Sequence, residues 1–391
     1  MHSTSTTSRI TITVADPDTA IPLAQVTVAA DDPAVAGQCR RYVARRWHVD
    51  PAPRPPAEDQ VPVISAAVNP GEVHTIEQAV VDHQHEELRY GGVRALRMHD
   101  TDGRAYAVQM TRSLAYLAEP DRRHLAVVAM HRDALGLATV RLARDAIRAQ
   151  LQAEKWALLR GAAVVRDGKA LLIAGAPGVG TTTAVLHLCC AGWRLISDGR
   201  LFARPAPGGG VHLLPWPAPI AAGLPTLDSL GLYERARQDY IDVTQPHPDQ
   251  PYEINRALRQ GTRGPVVDWQ GLVRQAMVFP AQIGLTTAAG GTAAAVLHLH
   301  ASSGTPEPAA ETDAVLGDAP FTGPDRYPDL LGLTAGTPPQ ATAVRAARDA
   351  LAPLPQCSVR LGHHDPRETA RVLAQTADTL ILGRSVAAGP R

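Results

Sequence analysis

Residues 171–183, LLIAGAPGVGTTT, constrain this chain more than any other stretch. An apolar run suited to a buried strand enters a glycine-rich turn, and the turn enters residues that can open a helix. Gly175 and Gly180 occupy the two fixed glycine positions of a phosphate-binding P-loop, with Gly178 between them. The lysine that such a loop carries is absent: Thr181 stands in its place, followed by Thr182 and Thr183. The candidate cradle is therefore Gly175, Ala176, Pro177, Gly178, Val179, Gly180, Thr181, Thr182 and Thr183.

Loss of lysine leaves part of the physical case intact. Successive backbone N–H groups in a glycine-rich turn surround phosphate oxygens, and a helix N-terminus favours negative charge. Thr182 holds the hydroxyl position that helps bind magnesium. Thr181 donates a hydrogen bond but brings no charge, and a missing charge-assisted contact costs roughly 1–3 kcal/mol before compensation. The competing reading is a structural glycine turn. Asp198 also has two readings. It follows the apolar strand residues LIS and so can meet the loop as a magnesium ligand or proton acceptor, or it can simply begin an Asp-Gly turn.

The 391 residues are enough for two domains and a small appendage. Lys plus Arg number 38 and Asp plus Glu number 38, so net charge gives no reason to expect nucleic acid or an anionic membrane as partner. The opening MHSTSTTSRI has no apolar core of a signal peptide, and no apolar run is long enough for a membrane span; the expectation is a soluble cytoplasmic protein. Cys39, Cys189, Cys190 and Cys357 show no metal-binding spacing, and the adjacent pair reads as small buried helix residues. His74, His83 and His85, and the group His363, His364 and Asp365, define no convincing metal set either.

Along the chain, ITITVAD at 10–16 alternates as a strand should, and the proline-rich stretch 51–62 reads as a loop or linker. Further strands are expected at Leu88–Arg94, Ala105–Met110 and Leu125–Met130, giving a small N-terminal α+β domain over residues 1–136. A helix is expected from about Leu137 to Leu159. AAVVRDGKALLIAG then reads as a hairpin turning on Asp-Gly, feeding the loop directly. A helix at 181–190, a strand at 193–197 and strands near Gln275–Phe279 and Ala293–His300 complete a core over residues 137–301. The remainder, 302–391, reads as a mobile loop and a helical subdomain with helices near Gln340–Ala352 and Pro366–Thr376.

Three pieces in order, RGAAVVRDGKALLIAG, GAPGVGTTT and GWRLISD, make residues 137–300 resemble the HPr kinase/phosphorylase family. That family shares its core with phosphoenolpyruvate carboxykinases. The resemblance implies an α/β P-loop kinase-like core with a smaller N-terminal α+β domain and a C-terminal helical addition. It implies magnesium-dependent transfer of a phosphoryl group from ATP or GTP to a hydroxyl of a small metabolite or a peptide. In that reading Asp198 takes the acceptor proton, and Thr182 with Asp198 serves Mg2+. Three departures stand out: Arg160 where such kinases place histidine, Thr181 for lysine, and Gly199 for a second aspartate.

An arginine can replace the missing cation, because its fixed charge and bidentate fork suit phosphate. Arg160 sits at an altered position, and Arg263 belongs to a second cluster with Arg256 and Arg259; Arg194 and Arg200 also flank the signature pieces. Ordinary surface charge is the competing reading for each. Trp216, between two prolines, either packs a ligand ring or braces a loop. A homo-oligomer is compatible with the sequence. The alternative function is a catalytically inactive kinase-fold protein that binds nucleotide, peptide or metabolite in a regulatory or scaffolding role. A third reading uses the cradle for a phosphorylated substrate.

Overall fold

The computed structural model describes residues 7–43, 46–52, 61–242, 247, 249–302, 304–309, 325–337, 340–362 and 366–382. The chain forms two compact units: residues 1–155 with 324–338, and residues 156–323 with 339–391.

In the first unit, strands β1 (Ser8–Ala15), β2 (Pro22–Ala30), β3 (His48–Pro51), β4 (Val63–Val68), β5 (Glu86–Tyr90), β6 (Val93–His99), β7 (Ala105–Gln109), β8 (Leu114–Ala118) and β9 (His124–Ala129) form one mixed sheet. Its order is β3-β1-β2-β4-β9-β8-β7-β6-β5. Helices α1 (Pro33–Val43), α2 (Pro70–Asp82) and α3 (Arg132–Ala153) accompany it. The segment expected as one strand, Leu88–Arg94, is instead a tight hairpin: Gly91 and Gly92 adopt φ of +64° and +83° between the paired ends Tyr90 and Val93.

The expected boundary at residue 137 falls inside α3. That helix is buried on nearly every side and packs against β2, β4 and β9, so it belongs to the first unit. It also stops earlier than expected. Lys155 takes a left-handed backbone (φ +62°), Trp156 is fully buried, and a strand starts at Ala157.

The second unit is built on strands β10 (Ala157–Arg160), β11 (Ala162–Arg166), β12 (Lys169–Gly175), β13 (Arg194–Ser197), β14 (Arg200–Pro205), β15 (Val211–Pro215), β16 (Ile220–Ala222), β17 (Val266–Val267), β18 (Val273–Arg274), β19 (Ala276–Val278), β20 (Gly291–Ala301), β21 (Glu307–Ala309) and β22 (Gln356–Leu361). Its helices are α4 (Thr181–Cys190), α5 (Leu224–Ser229), α6 (Tyr233–Asp242), α7 (Tyr252–Gln260), α8 (Gln340–Leu351) and α9 (Pro366–Leu382). The main sheet runs β10-β14-β15-β20-β12-β11-β13, with β22 joined to β20 and β21 to β22; β16–β19 and β17–β18 form separate pairs.

Two cores flank the main sheet. On one face Leu171, Ile173, Val164 and Leu297 pack against α4 and α9. On the other, Leu172, Val165, Val296 and Leu159 pack against Ala343, Val344, Ala347 and Leu351 of α8. Burying each large aliphatic side chain stabilises this layering by about 1.5–3 kcal/mol. The C-terminal region is therefore not a separate helical subdomain: β22 lies parallel to β20 inside the sheet, and α8 and α9 cover opposite faces. Among the described residues no helix is long and apolar enough to cross a membrane.

Candidate functional site

The β11–β12 hairpin closes on Asp167 and Gly168, both at positive φ (+50° and +76°), the two-residue turn whose twist matches its strands. β12 then delivers the glycine loop at its carboxyl end, beside the parallel strands β20 and β22. Two glycines are required there. A Cβ on Gly175 would lie 2.7 Å from Val179 Cγ2 and 3.2 Å from the Leu299 carbonyl oxygen. Gly180 is the N-cap of α4 at φ +103°, and its Cβ would meet Leu361 at 3.2 Å.

Val179 plugs the loop into the core, whereas Ala176, Pro177 and Gly178 are exposed. No side chain caps α4, and its first helical hydrogen bond runs from Ala184 N–H to the Gly180 carbonyl at 2.9 Å. The N–H groups of Thr181, Thr182 and Thr183 therefore have no acceptor within the helix, the condition in which a helix N-terminus receives an anion. All three threonines are half-buried.

Asp198 stands at the end of β13, and the Thr182 hydroxyl donates to its carboxylate, 3.0 Å from Oδ2 and 3.2 Å from Oδ1. Asp198 also begins the expected Asp-Gly turn, since Gly199 takes φ +82° and turns the chain into β14. Ser197, which sequence reasoning passed over, braces this turn. Its buried hydroxyl donates to the Arg200 carbonyl and accepts from Trp216 N–H at 3.1 Å. Trp216 is itself buried against Phe202, ring centroids 5.7 Å apart, so it packs as a brace.

Arg160 ends β10 directly opposite Arg200, and the next residue, Gly161, donates its N–H to the Gly199 carbonyl at 3.3 Å. Ala157, Leu159, Leu201 and Ala203 belong to the core under α8. Strand alternation turns Arg160 and Arg200 to the other face, the face α4 packs against. Both arginines are half-buried.

Arg263 is a correction. Its guanidinium is taken by Asp228 and Glu234 and lies over the Tyr233 ring, 4.8 Å from the centroid. Two carboxylates already neutralise it, so it is not a spare cation for the loop. Arg259 donates to the Tyr240 hydroxyl at 3.1 Å, while Arg194 and Arg256 are exposed. Cys190 is also exposed at the end of α4, unlike the buried pair expected; Cys39 and Cys189 are shielded, and burial pushes each thiol up to about 12.

Among the described residues no group of three or more His, Cys, Asp or Glu side chains could hold a metal ion. His363, His364 and Asp365 lie outside the described residues. Thr182 and Asp198 nonetheless suit magnesium, which dehydrates reluctantly and binds through one or two carboxylates, waters and the phosphates of its ligand. Leu299 and Leu361, which wall the loop, carried no signal in the sequence, since their role depends on strands that arrive far later in the chain.

No family model matches the sequence, and no curated protein matches it. Among solved structures the chain is similar to the HPr(Ser) kinase/phosphatase from Coxiella burnetii, at 9% identity and a TM-score of 0.26, covering 56% of this chain and 90% of that one.

Proposed function

We propose that the second unit is a phosphate-recognition module that binds a nucleoside triphosphate, ATP or GTP, with magnesium, in a regulatory or scaffolding role and with little or no phosphoryl transfer. The observation that carries this is the uncapped start of α4 beneath an exposed glycine loop, with the Thr182 hydroxyl on Asp198. The loop's free amides and helix dipole would hold the phosphates, and Thr182 and Asp198 would hold magnesium. Magnesium would neutralise charge on the phosphate oxygens. Arg160, which ends β10 opposite Arg200, is the candidate substitute for the absent lysine. Two substitutions weigh against efficient turnover: Thr181 removes the lysine charge, and Gly199 removes a second acid.

The Thr182–Asp198 pair also supports a second reading, magnesium-dependent phosphoryl transfer to a hydroxyl of a small metabolite or peptide, with Asp198 accepting the proton. Calorimetric titration with ATP and GTP, with and without magnesium, separates the possibilities. Saturable, magnesium-enhanced binding that weakens at least five-fold in Arg160→Ala and in Thr182→Ala is expected. Phosphate release or acceptor labelling abolished by Asp198→Asn would move the conclusion to the transferase. Failure of the folded protein to bind either nucleotide would leave the loop as a structural turn.

A further inference from the structure

The hairpin β17–β18 carries an apolar surface that the phosphate site does not use. Val267 and Val273 are direct cross-strand partners, so both side chains share one face, and both are exposed. Trp269 and Leu272 stand exposed in the turn between them; Trp269 is 87% exposed, whereas Trp47, Trp156, Trp193 and Trp216 are all buried. The opposite side is anchored, since Val266 packs against the core shared with α4.

The turn is held rigid. The Asp268 carboxylate, whose side chain has no exposure, accepts from Gln270 N–H at 2.9 Å, from Leu272 N–H at 2.8 Å and from the Arg274 guanidinium. Asp268 N–H donates in turn to the Leu272 carbonyl at 3.0 Å. Burial pushes the Asp268 carboxyl up, but the backbone donors and Arg274 outweigh it and hold the group below the usual carboxylate range. A turn secured this tightly fixes Trp269 outward.

Three features identify the occupant. Among the described residues β17 and β18 pair only with each other, so each offers an open edge of main-chain donors and acceptors. Pro265 precedes β17 and has no N–H to offer, which leaves β18 the better edge. Four exposed apolar side chains make up the face, more than scattered single residues would, but too few to fill the ~800 Å² per partner of a stable interface between globular proteins. Two neighbouring cations are already matched, Arg274 by Asp268 and Arg263 by Asp228 and Glu234, which weakens the case for an anionic lipid or nucleic acid as occupant.

We propose that the β18 edge and the Val267, Trp269, Leu272 and Val273 face dock an extended apolar polypeptide segment of a partner protein by strand addition. The inference is independent of nucleotide binding.

The test is selection of random twelve-residue peptides on the full chain, followed by titration of the recovered peptides against wild type, Trp269→Ala and Leu272→Ser, with circular dichroism as the folding control. Peptides with apolar residues at alternate positions are expected, binding at least ten-fold more weakly to either variant. They should shield Trp269 fluorescence from acrylamide and lose binding when alternate backbone amides are methylated. The proposal is overturned if no peptide is enriched over an unrelated protein, or if binding ignores both substitutions or amide methylation. It is also overturned if either substitution instead abolishes concentration-dependent dimerisation of the chain, or co-sedimentation with phosphatidylcholine vesicles.

Discussion

At the scale of single residues, the loop depends on atoms that are absent as much as on those present. Gly175 has no room for a methyl group between Val179 Cγ2 and the Leu299 carbonyl, and backbone cannot yield as a flexible side chain does. Gly175→Ala should therefore destabilise the second unit by about 1–3 kcal/mol and displace the loop. A lowered urea midpoint together with weakened nucleotide binding would be the signature; an unchanged midpoint would show that the strand–loop junction is slack. Thr181 illustrates the opposite case, where the missing feature is charge. Its neighbour Thr182 keeps its hydroxyl on Asp198 at 3.0 Å, so that contact forms without a lysine at position 181.

At the scale of elements, α3 breaks the expectation that a helix turns its charges to water. Arg141, Arg144 and Asp145 are all buried, and Tyr90 donates a 2.5 Å hydrogen bond to the Asp145 carboxylate. The Tyr327 ring lies 5.3 Å from the guanidinium carbons of both Arg141 and Arg144, and Arg148 pairs with Asp325 at 2.7 Å. Burial raises the Asp145 carboxyl to about 7, against the lowering pull of the Tyr90 hydrogen bond, Arg148 and Arg144. The folded state then keeps a proton that the unfolded chain releases from about pH 4 upward. Stability of the first unit should fall as pH rises from about 4 to 7, by up to about 4 kcal/mol for a group shifted this far. Denaturation midpoints at pH 5 and 8 measure the slope, and Asp145→Asn should flatten it. A slope identical in that variant would assign the titration elsewhere.

At the scale of the whole molecule, the loop, Thr182, Asp198 and Arg160 all belong to the second unit. A ligand that binds only the folded form stabilises by RT ln(1 + [L]/Kd), about 2.7 kcal/mol at a hundred-fold excess over Kd. Differential scanning calorimetry with magnesium and ATP should therefore raise one unfolding transition and leave the other in place. The shifted transition should carry the fluorescence change of Trp156, Trp193 and Trp216, which lie in that unit. A single transition that moves as a whole would mean that the units unfold together.

What the sequence determined by itself was local. LLIAGAPGVGTTT became the strand, turn and helix it was read to be, and Asp-Gly at 167–168 closed the hairpin, because backbone conformation over a few residues follows from glycine, proline and the spacing of apolar side chains. Even the pairing of Asp198 with the loop was legible, since a strand end and a glycine turn in this order bring few alternatives. Only the tertiary structure decided which sheet α3 joins, that β22 enters beside β20, and that Arg263 is spent on Asp228 and Glu234. Such outcomes depend on partners tens to hundreds of positions away. Leu299 and Leu361 wall in Gly175 and Gly180 only after the chain has folded back on itself, and nothing in the local pattern around a leucine names the surface it will meet.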